Sequence, residues 1–194
     1  MASNVQIANR ALAKLGDKTI VSLTENSNQA RALNECFVLV RQGELRRHPW
    51  HFAKKRAQLA ADATAPLFDF AYKFALPADC LRILMPQERS ESVQYDNRVD
   101  WKVEGRFILS DQAGPLSITY LADITDPNEF DAAFIDVFAS RLAVEVAHRL
   151  TGSTEKRKMA HEEYKAALLE ARRANAFEQF SVERAIDDWE IARL

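Results

Sequence analysis

The sequence predicts an α+β fold, in which a helical bundle is formed by the N- and C-terminal parts of the chain and a central antiparallel β insert lies between them. Two observations predict this fold. Apolar residues recur every three or four positions near both ends, and the central region has strand-like alternation with connections too short for crossover helices. We predict a helical layer from residues 1–53 and 127–180, a β-rich insert at 54–126 and a C-terminal docking tail at 181–194.

Capping residues mark both ends of the predicted N-terminal helix. Ser3 or Asn4 can accept a backbone N–H group at its start, and Gly16 suits the left-handed position that follows a helix. The apolar residues between them have helical spacing and predict a buried stripe. The stripe consists of Ile7, Ala8, Ala11, Leu12 and Leu15.

A longer second helix is predicted after a short apolar link. Asn26 or Ser27 caps its start. Pro49 ends it near Arg47, because the residue before a proline is pushed out of the α region. Its predicted buried stripe consists of Ala30, Leu33, Phe37, Val40 and Leu45.

Short strands joined by turns are predicted in the middle of the chain. The aromatic residues that alternate with other residues from Phe68 to Phe74 are typical of a strand. A short apolar segment follows at residues 80–85, and further strands are predicted in two arms around a turn at Gly105 and in the β-rich run at 116–120.

Two more helices are predicted in the C-terminal part of the chain. The third begins at Asp126-Pro127 and ends before Gly152, and Ser153 or Thr154 caps the fourth. The predicted buried stripes are Phe134, Phe138, Leu142, Val146 and Leu150 in the third helix and Met159, Tyr164, Leu168 and Ala171 in the fourth.

Composition argues against several classes of protein. The chain has 194 residues, with 26 Lys and Arg against 28 Asp and Glu and a net charge of −2. Proteins that mainly bind nucleic acid or anionic lipid usually carry a large basic excess. The five glycines are never closer than nine residues, so the clustered glycines of dinucleotide-binding and Walker loops are absent. We therefore expect no cofactor.

Targeting and cysteine signals favour a protein made in a reducing cytoplasm. The N-terminal residues lack the pattern of a signal peptide, and no run of 18 apolar residues occurs, so we expect no membrane partner. Cys36 and Cys80 have apolar neighbours, which favours buried free thiols over a disulfide framework.

The most basic stretch of the chain surrounds residues 48–52 (HPWHF). Basic side chains interleaved with aromatic ones can bind phosphates and stack on bases, so this stretch is a candidate DNA-facing patch. The alternative is that Trp50 and Phe52 are buried at the junction of helix and sheet, with the cations solvated around them. The basic residues are Arg41, Arg46, Arg47, Lys54, Lys55 and Arg56.

Signals for metal binding and catalysis are isolated. His48 and His51 have no further ligands at metal-binding spacing, and the E-x-x-H match that ends at His148 lacks its second copy. No nucleophile elbow occurs, and Cys36 has no adjacent base. A carboxylate pair for glycoside cleavage depends on tertiary spacing and stays open. We predict no catalytic or metal site, and hence no enzyme.

The C-terminal segment carries large apolar side chains. A terminal stretch is normally polar, so these side chains are candidates for docking on a partner's groove or, equally, for packing on their own domain. The candidate docking residues are Ile186, Trp189, Ile191 and Leu194.

The order of motifs resembles the tail tubular protein A family, the head-to-tail adaptors of short-tailed bacteriophages. The resemblance covers about residues 3–175, in the order of the family. The motifs are residues 9–16 (NRALAKLG), 20–23 (IVSL), 48–53 (HPWHFA), 76–84 (LPADCLRIL) and 101–106 (WKVEGR), followed by a closing helix pair.

The resemblance implies a structural protein of the virion. Members of the family form a ring, typically dodecameric, that joins the portal to the tail nozzle and lines the channel for double-stranded DNA. The implied partners are sister copies, the portal protein, the nozzle protein and passing DNA. The implied location is the head–tail junction, after assembly in the bacterial host cytoplasm. A small DNA-binding protein and a phage cell-wall hydrolase are the alternatives.

Overall fold

A computed structural model describes residues 2–86 and 101–177, which form an α+β fold of four α-helices and two three-stranded antiparallel sheets. Helices from both ends of the chain pack together, and the strands lie between them in sequence, so the predicted fold class is confirmed. The helices are α1 (Asn4–Leu15), α2 (Asn28–Arg47), α3 (Ala132–Thr151) and α4 (Thr154–Phe177). The strands are β1 (Lys54–Leu59), β2 (Tyr72–Ala75), β3 (Cys80–Pro86), β4 (Trp101–Glu104), β5 (Phe107–Ser110) and β6 (Leu116–Ala122).

The first two helices begin and end where their capping residues predict. The Ser3 hydroxyl accepts the N–H of Gln6, and the Gln6 side chain accepts the N–H of Ser3, which completes a capping box. Gly16 follows α1 with a φ of 66°, in the left-handed region that favours glycine. The Ser27 hydroxyl caps α2 by accepting the N–H of Ala30 at 3.1 Å.

Helix α3 begins later than the sequence predicted. The chain forms a 3-10 turn at Pro127–Glu129. Asp131 then caps α3 by accepting the N–H groups of Ala133 and Phe134. Proline favours the first position of either kind of helix, so Asp126-Pro127 alone does not distinguish a short turn from the start of α3.

Helix α3 lies at the centre of the helical layer. It packs against α1, α2 and α4, and ten of its residues are buried. Aromatic rings surround its N-terminal half: Trp50 lies 5.2 Å from Phe134 and Phe37 lies 5.0 Å from Phe138, measured between ring centroids. A helix that is apolar on most sides is stable in water only when other elements cover it.

The β insert consists of two small sheets. In the first, β6 lies between β1 and β3, and in the second, β5 lies between β2 and β4. Gly105 turns β4 into β5 with a φ of 58°. The strands predicted around Gly105 and at 116–120 are therefore confirmed, as is antiparallel pairing, and the apolar segment at residues 80–85 forms most of β3.

Two aspects of the strand prediction are wrong. Of the aromatic alternation, only Tyr72–Ala75 is a strand, and Phe68 lies in a loop with 74% of its surface exposed. Strand β1 was also not predicted, because its residues show no clear alternation of polar and apolar side chains. Lys54–Leu59 forms a strand because it pairs with β6 along its whole length, from Leu121 to Leu116.

A buried ion pair joins the helical layer to the β insert. Arg41 of α2 is only 7% exposed, and its Nε and Nη2 groups each donate to one carboxylate oxygen of Asp123 at 3.1 Å. Gln42 donates to the same carboxylate at 2.8 Å. Because Asp123 directly follows β6, these bonds fix the end of α2 against the first sheet.

We expect Asp123→Asn to lower the free energy of unfolding by about 3 kcal/mol, because it leaves the Arg41 charge buried without its counterion. Urea denaturation would measure the loss. Glu129→Gln, an exposed change in the connection between β6 and α3, is the matched control and should have almost no effect. A loss no larger than that of the control would show that the pair does not hold the two layers together.

Candidate functional site

The six basic residues predicted as a DNA-facing patch have different environments. Arg41 is buried, whereas Arg56 on the edge strand β1 is exposed and Lys54 is half-buried. Arg46 donates to the backbone carbonyl of Leu81. Three of the six basic residues form ion pairs with carboxylates, namely Arg41–Asp123, Arg47–Glu44 and Lys55–Asp79. Arg41 is therefore not part of a solvent-facing patch, and this part of the prediction is wrong. Contact of the other five basic residues with DNA stays a prediction.

The aromatic residues of the same stretch belong to the core. Trp50 is 1% exposed, and its Nε1 donates to the Glu44 carbonyl at 3.0 Å. Its ring contacts His48 and Phe134, and Phe52 beside it is half-buried. A buried indole cannot stack on a base, so burial at the junction of helix and sheet is confirmed for Trp50.

A buried carboxylate lies at this junction. Glu44 of α2 is 2% exposed, and its two oxygens accept a hydrogen bond from the Tyr164 hydroxyl at 3.1 and 3.0 Å. Arg47 lies 3.0 Å and Arg141 3.7 Å from the same carboxylate. Glu44 therefore connects α2, α3 and α4. This role was not predicted, although Glu44 is the only acidic residue within the basic stretch 41–56.

The environment of Glu44 shifts its proton equilibrium. Burial raises the pKa of the carboxyl above its usual 4.5, and Arg47 is the main group that opposes this rise. Burial also raises the pKa of Tyr164, and the neighbouring Glu44 carboxylate raises it further. The Tyr164 hydroxyl is therefore protonated at neutral pH and available as a donor to Glu44.

We expect the unchanged protein to lose stability relative to its Glu44→Gln variant as the pH rises above 4.5. The quantity compared is the free energy of unfolding of the two proteins at each pH. A carboxyl with a raised folded-state pKa contributes stability below its unfolded pKa, and that contribution is lost as the pH rises through the folded pKa. Urea denaturation of both proteins between about pH 4 and pH 8 would measure the shift.

Glu35→Gln is the matched control for this measurement. The Arg149 guanidinium lowers the pKa of the exposed Glu35 carboxyl, so its contribution is present above the unfolded pKa and is lost as the pH falls. The two variants should therefore show opposite pH trends. Equal trends would contradict the assignment of a raised pKa to Glu44.

The cysteines are free thiols in different degrees of burial. Cys80 is buried, as predicted, whereas Cys36 is only half-buried. Burial, together with the nearby Glu145, raises the pKa of Cys36 to about 11. The thiol is therefore protonated at neutral pH and is a poor nucleophile.

The two histidines of the basic stretch contact the C-terminal part of α4. The Asn175 Oδ1 accepts the N–H of His51 at 3.0 Å, and its Nδ2 lies 3.2 Å from the Nε2 of His48. Within residues 2–86 and 101–177, no group of three or more His, Cys, Asp or Glu side chains could hold a metal ion.

A groove of about 460 Å³ lies where α2 meets the two sheets. Three arginines, Arg46, Arg82 and Arg106, line it together with Trp101. Arg106 donates to the backbone carbonyls of residues 77, 78 and 80, so it ties the second sheet to the turn before β3. These arginines hold elements together through main-chain oxygens.

Two helices expose apolar side chains on faces turned away from the core. Leu39 of α2 is 71% exposed and Val38 is 48% exposed. On α4, Met159 is 63% and Leu169 is 53% exposed. The prediction that Met159 is buried is wrong, because α4 instead buries Ala160, one position and about 100° further round the helix.

The C-terminal docking residues lie outside the described part of the chain. Their docking role therefore stays a prediction. The residues concerned are Ile186, Trp189, Ile191 and Leu194. Among the helices of residues 2–86 and 101–177, none has the length and apolar character needed to cross a membrane.

Comparison with known proteins identifies no family for the chain. No protein-family model matches the sequence, and no curated protein matches it. The likeness to the tail tubular protein A family therefore rests on the ordered motifs of the sequence, and the function that it implies is a proposal.

Proposed function

We propose that this chain is a head-to-tail adaptor, a structural protein that joins the portal of a short-tailed bacteriophage to its tail nozzle. The ordered series of motifs that resembles the tail tubular protein A family carries the proposal. The motifs coincide with junctions of the fold: Gly16 ends α1, residues 48–53 lead from α2 into the β insert, and Gly105 turns β4 into β5.

In this proposal, copies of the chain form a closed ring, typically of twelve subunits as in the family, around the path of the DNA. Each copy meets the next through two different faces, since a head-to-tail interface closes into a ring. The exposed apolar side chains of α2 and α4 support such contacts, because apolar patches on a surface mark interaction sites. A net charge of −2 suits a channel wall that must release DNA.

The two layers of the chain have different partners in the ring. The helical layer packs against neighbouring copies and the portal, and the β insert points toward the periphery or the nozzle. The protein is assembled in the host cytoplasm and resides at the head–tail junction of the virion.

We expect the purified chain to add a ring of density to isolated portal rings, visible by negative-stain microscopy of the mixture. The portal alone and the chain alone are the controls, because ring formation can require the portal as a template. A folded chain that adds no density to the portal would contradict the proposal.

Duplex-DNA binding distinguishes the adaptor from a DNA-binding protein. A DNA-binding protein would show high affinity with a steep salt dependence, reduced by charge reversal at Arg46, Arg47 and Lys55. The adaptor should bind weakly and respond little to these reversals. Turbidity loss on peptidoglycan, abolished by one carboxylate replacement, would instead indicate a cell-wall hydrolase.

We expect removal of residues 182–194 to leave the circular dichroism of the chain almost unchanged and to weaken attachment to the portal on the order of tenfold or more, because buried Trp and aliphatic side chains dominate interface energies. Trp189→Ala should reproduce much of the loss, and Arg193→Ala is the matched control. Unchanged portal binding after the deletion would refute a docking role for this segment.

A further inference from the structure

Helix α4 has a second apolar face opposite the one that it buries. The inner face packs on the core through Ala160, Tyr164 and Ala171. The outer residues recur at alternating spacings of three and four, the spacing of a helix that packs along another helix. This outer seam of α4 consists of Met159, Glu162, Ala166, Leu169, Arg173 and Ala176, all of them exposed.

Helix α2 exposes a face that can receive this seam. Gly43 lies within the helix, where glycine costs about 1 kcal/mol relative to alanine. A Cβ at this position would meet no atom within 4 Å, so the described part of the chain does not require glycine there. The bare surface permits close approach by another backbone. This outer face of α2 consists of Glu35, Val38, Leu39, Gly43 and Arg46.

The two outer surfaces are complementary when the helices run antiparallel. Each helix carries a glutamate eleven residues before an arginine. Aligning Leu39 with Leu169 of a second copy places Glu35 opposite Arg173 and Arg46 opposite Glu162. Gly43 then lies beside Ala166, so the two backbones come closest where the side chains are smallest. Opposite charges at both ends select this register.

The charged ends have partners in the single chain that they can exchange or share on association. Arg46 donates to the backbone carbonyl of Leu81, and its guanidinium carries further N–H groups that can bind a second acceptor. In the single chain, Glu162 meets Lys165 at 3.0 Å, and Glu35 pairs with Arg149. Exposed pairs of this kind contribute less than about 1 kcal/mol each, so exchanging or sharing them costs little.

A twofold pairing of two α4 seams fits less well. It also places Glu162 of one copy opposite Arg173 of the other. On the flank of the seam, however, the Lys165 side chains of the two copies meet each other, and Lys158 of one copy meets Arg172 of the other. Like charges in contact are unfavourable. The face of α2 reduces this repulsion, because Val38 and Gln42 lie at the flank that Lys165 meets. One approach of like charges remains there, between Arg172 and Arg31.

We propose that the outer seam of α4 on one copy packs antiparallel on the outer face of α2 on the next copy. The inference rests on the proposed ring, and it names the two surfaces through which the ring closes. Since the surfaces differ and both are turned away from α3, the contact is head-to-tail. The segment from Glu162 to Arg173 spans about 16 Å of the interface.

Disulfide cross-linking of the Leu39→Cys, Leu169→Cys double variant bound to portal rings tests this contact, with the native half-buried thiol of α2 removed by Cys36→Ser in every protein compared. A disulfide requires Cα atoms within about 7 Å, so it reports the pairing directly. On a non-reducing gel, the double variant should form a ladder of multimers, because each copy is linked to both neighbours. A mixture of the two single variants should give dimers. The Leu67→Cys, Leu169→Cys variant, with one thiol on the β-insert loop, is the matched control and should give no ladder.

The outcomes separate this inference from the adaptor function. Rings on the portal without a ladder overturn the assignment of the two faces and leave the adaptor function intact. Dimers from the Ala166→Cys, Leu169→Cys variant indicate the twofold pairing, which sets Ala166 of one copy opposite Leu169 of the other, and also overturn it. A chain that forms no ring on the portal overturns both proposals.

Charge reversal provides a test that does not depend on oxidation. Arg173→Glu should weaken ring formation on the portal on the order of tenfold, since Arg173 faces Glu35 of the neighbour. Glu35→Arg in the same chain should restore it, because every interface of the ring then carries the reversed pair. A double variant as weak as Arg173→Glu alone contradicts the proposed register.

Discussion

The apolar surface of helix α3 dictates how the rest of the chain is arranged. Ten of its residues are buried, and α1, α2 and α4 together keep water from them. Helices from the two ends of the chain must therefore meet, although the β insert separates them in sequence. The insert leaves the helical layer beside Trp50 and returns beside Phe130, and both rings contact Phe134, at centroid distances of 5.2 and 5.1 Å. One aromatic cluster thus closes the helical layer and fixes both ends of the insert.

Buried polar groups specify which faces of the helices and the sheet pack together. The Arg41–Asp123 pair fixes α2 against the first sheet, and the hydrogen bonds of Glu44 to Tyr164 fix α2 against α4. Desolvation of the Glu44 carboxylate opposes folding, and the same burial raises the pKa of this group. The charges are tolerated because each carboxylate accepts several donors. Apolar contacts supply most of the stability, whereas these polar contacts specify which way the helices face.

Local signals predicted the helices well because the caps and breakers act within a few residues. Ser3, Gly16 and Ser27 mark real helix ends, and the stripe of α2 is buried as its spacing indicates. Strand β1 escaped prediction because its partner β6 lies far along the chain, and pairing overrides its weak alternation. The buried carboxylate site could not be predicted because it depends on tertiary structure. A glutamate at the basic end of a helix does not indicate that Tyr164, 120 residues away, will donate a hydrogen bond to it. Met159 was misplaced because α4 has apolar residues on both sides.

The two ends of the β insert lie close together, beside Trp50 and Phe130, and this affects which changes of sequence the fold can accept. A chain segment whose two ends are held together at its base can be lengthened at small entropic expense, since doubling a flexible loop adds only about 0.6 kcal/mol. Insertions in the loops that join the strands, such as the loop that carries Phe68, therefore leave the helical scaffold in place, whereas the strands themselves supply Leu59, Ile118 and Leu121 to the shared core. Foreign sequence grafted into such a loop would be carried outward, so the same scaffold can present new surfaces without being rebuilt.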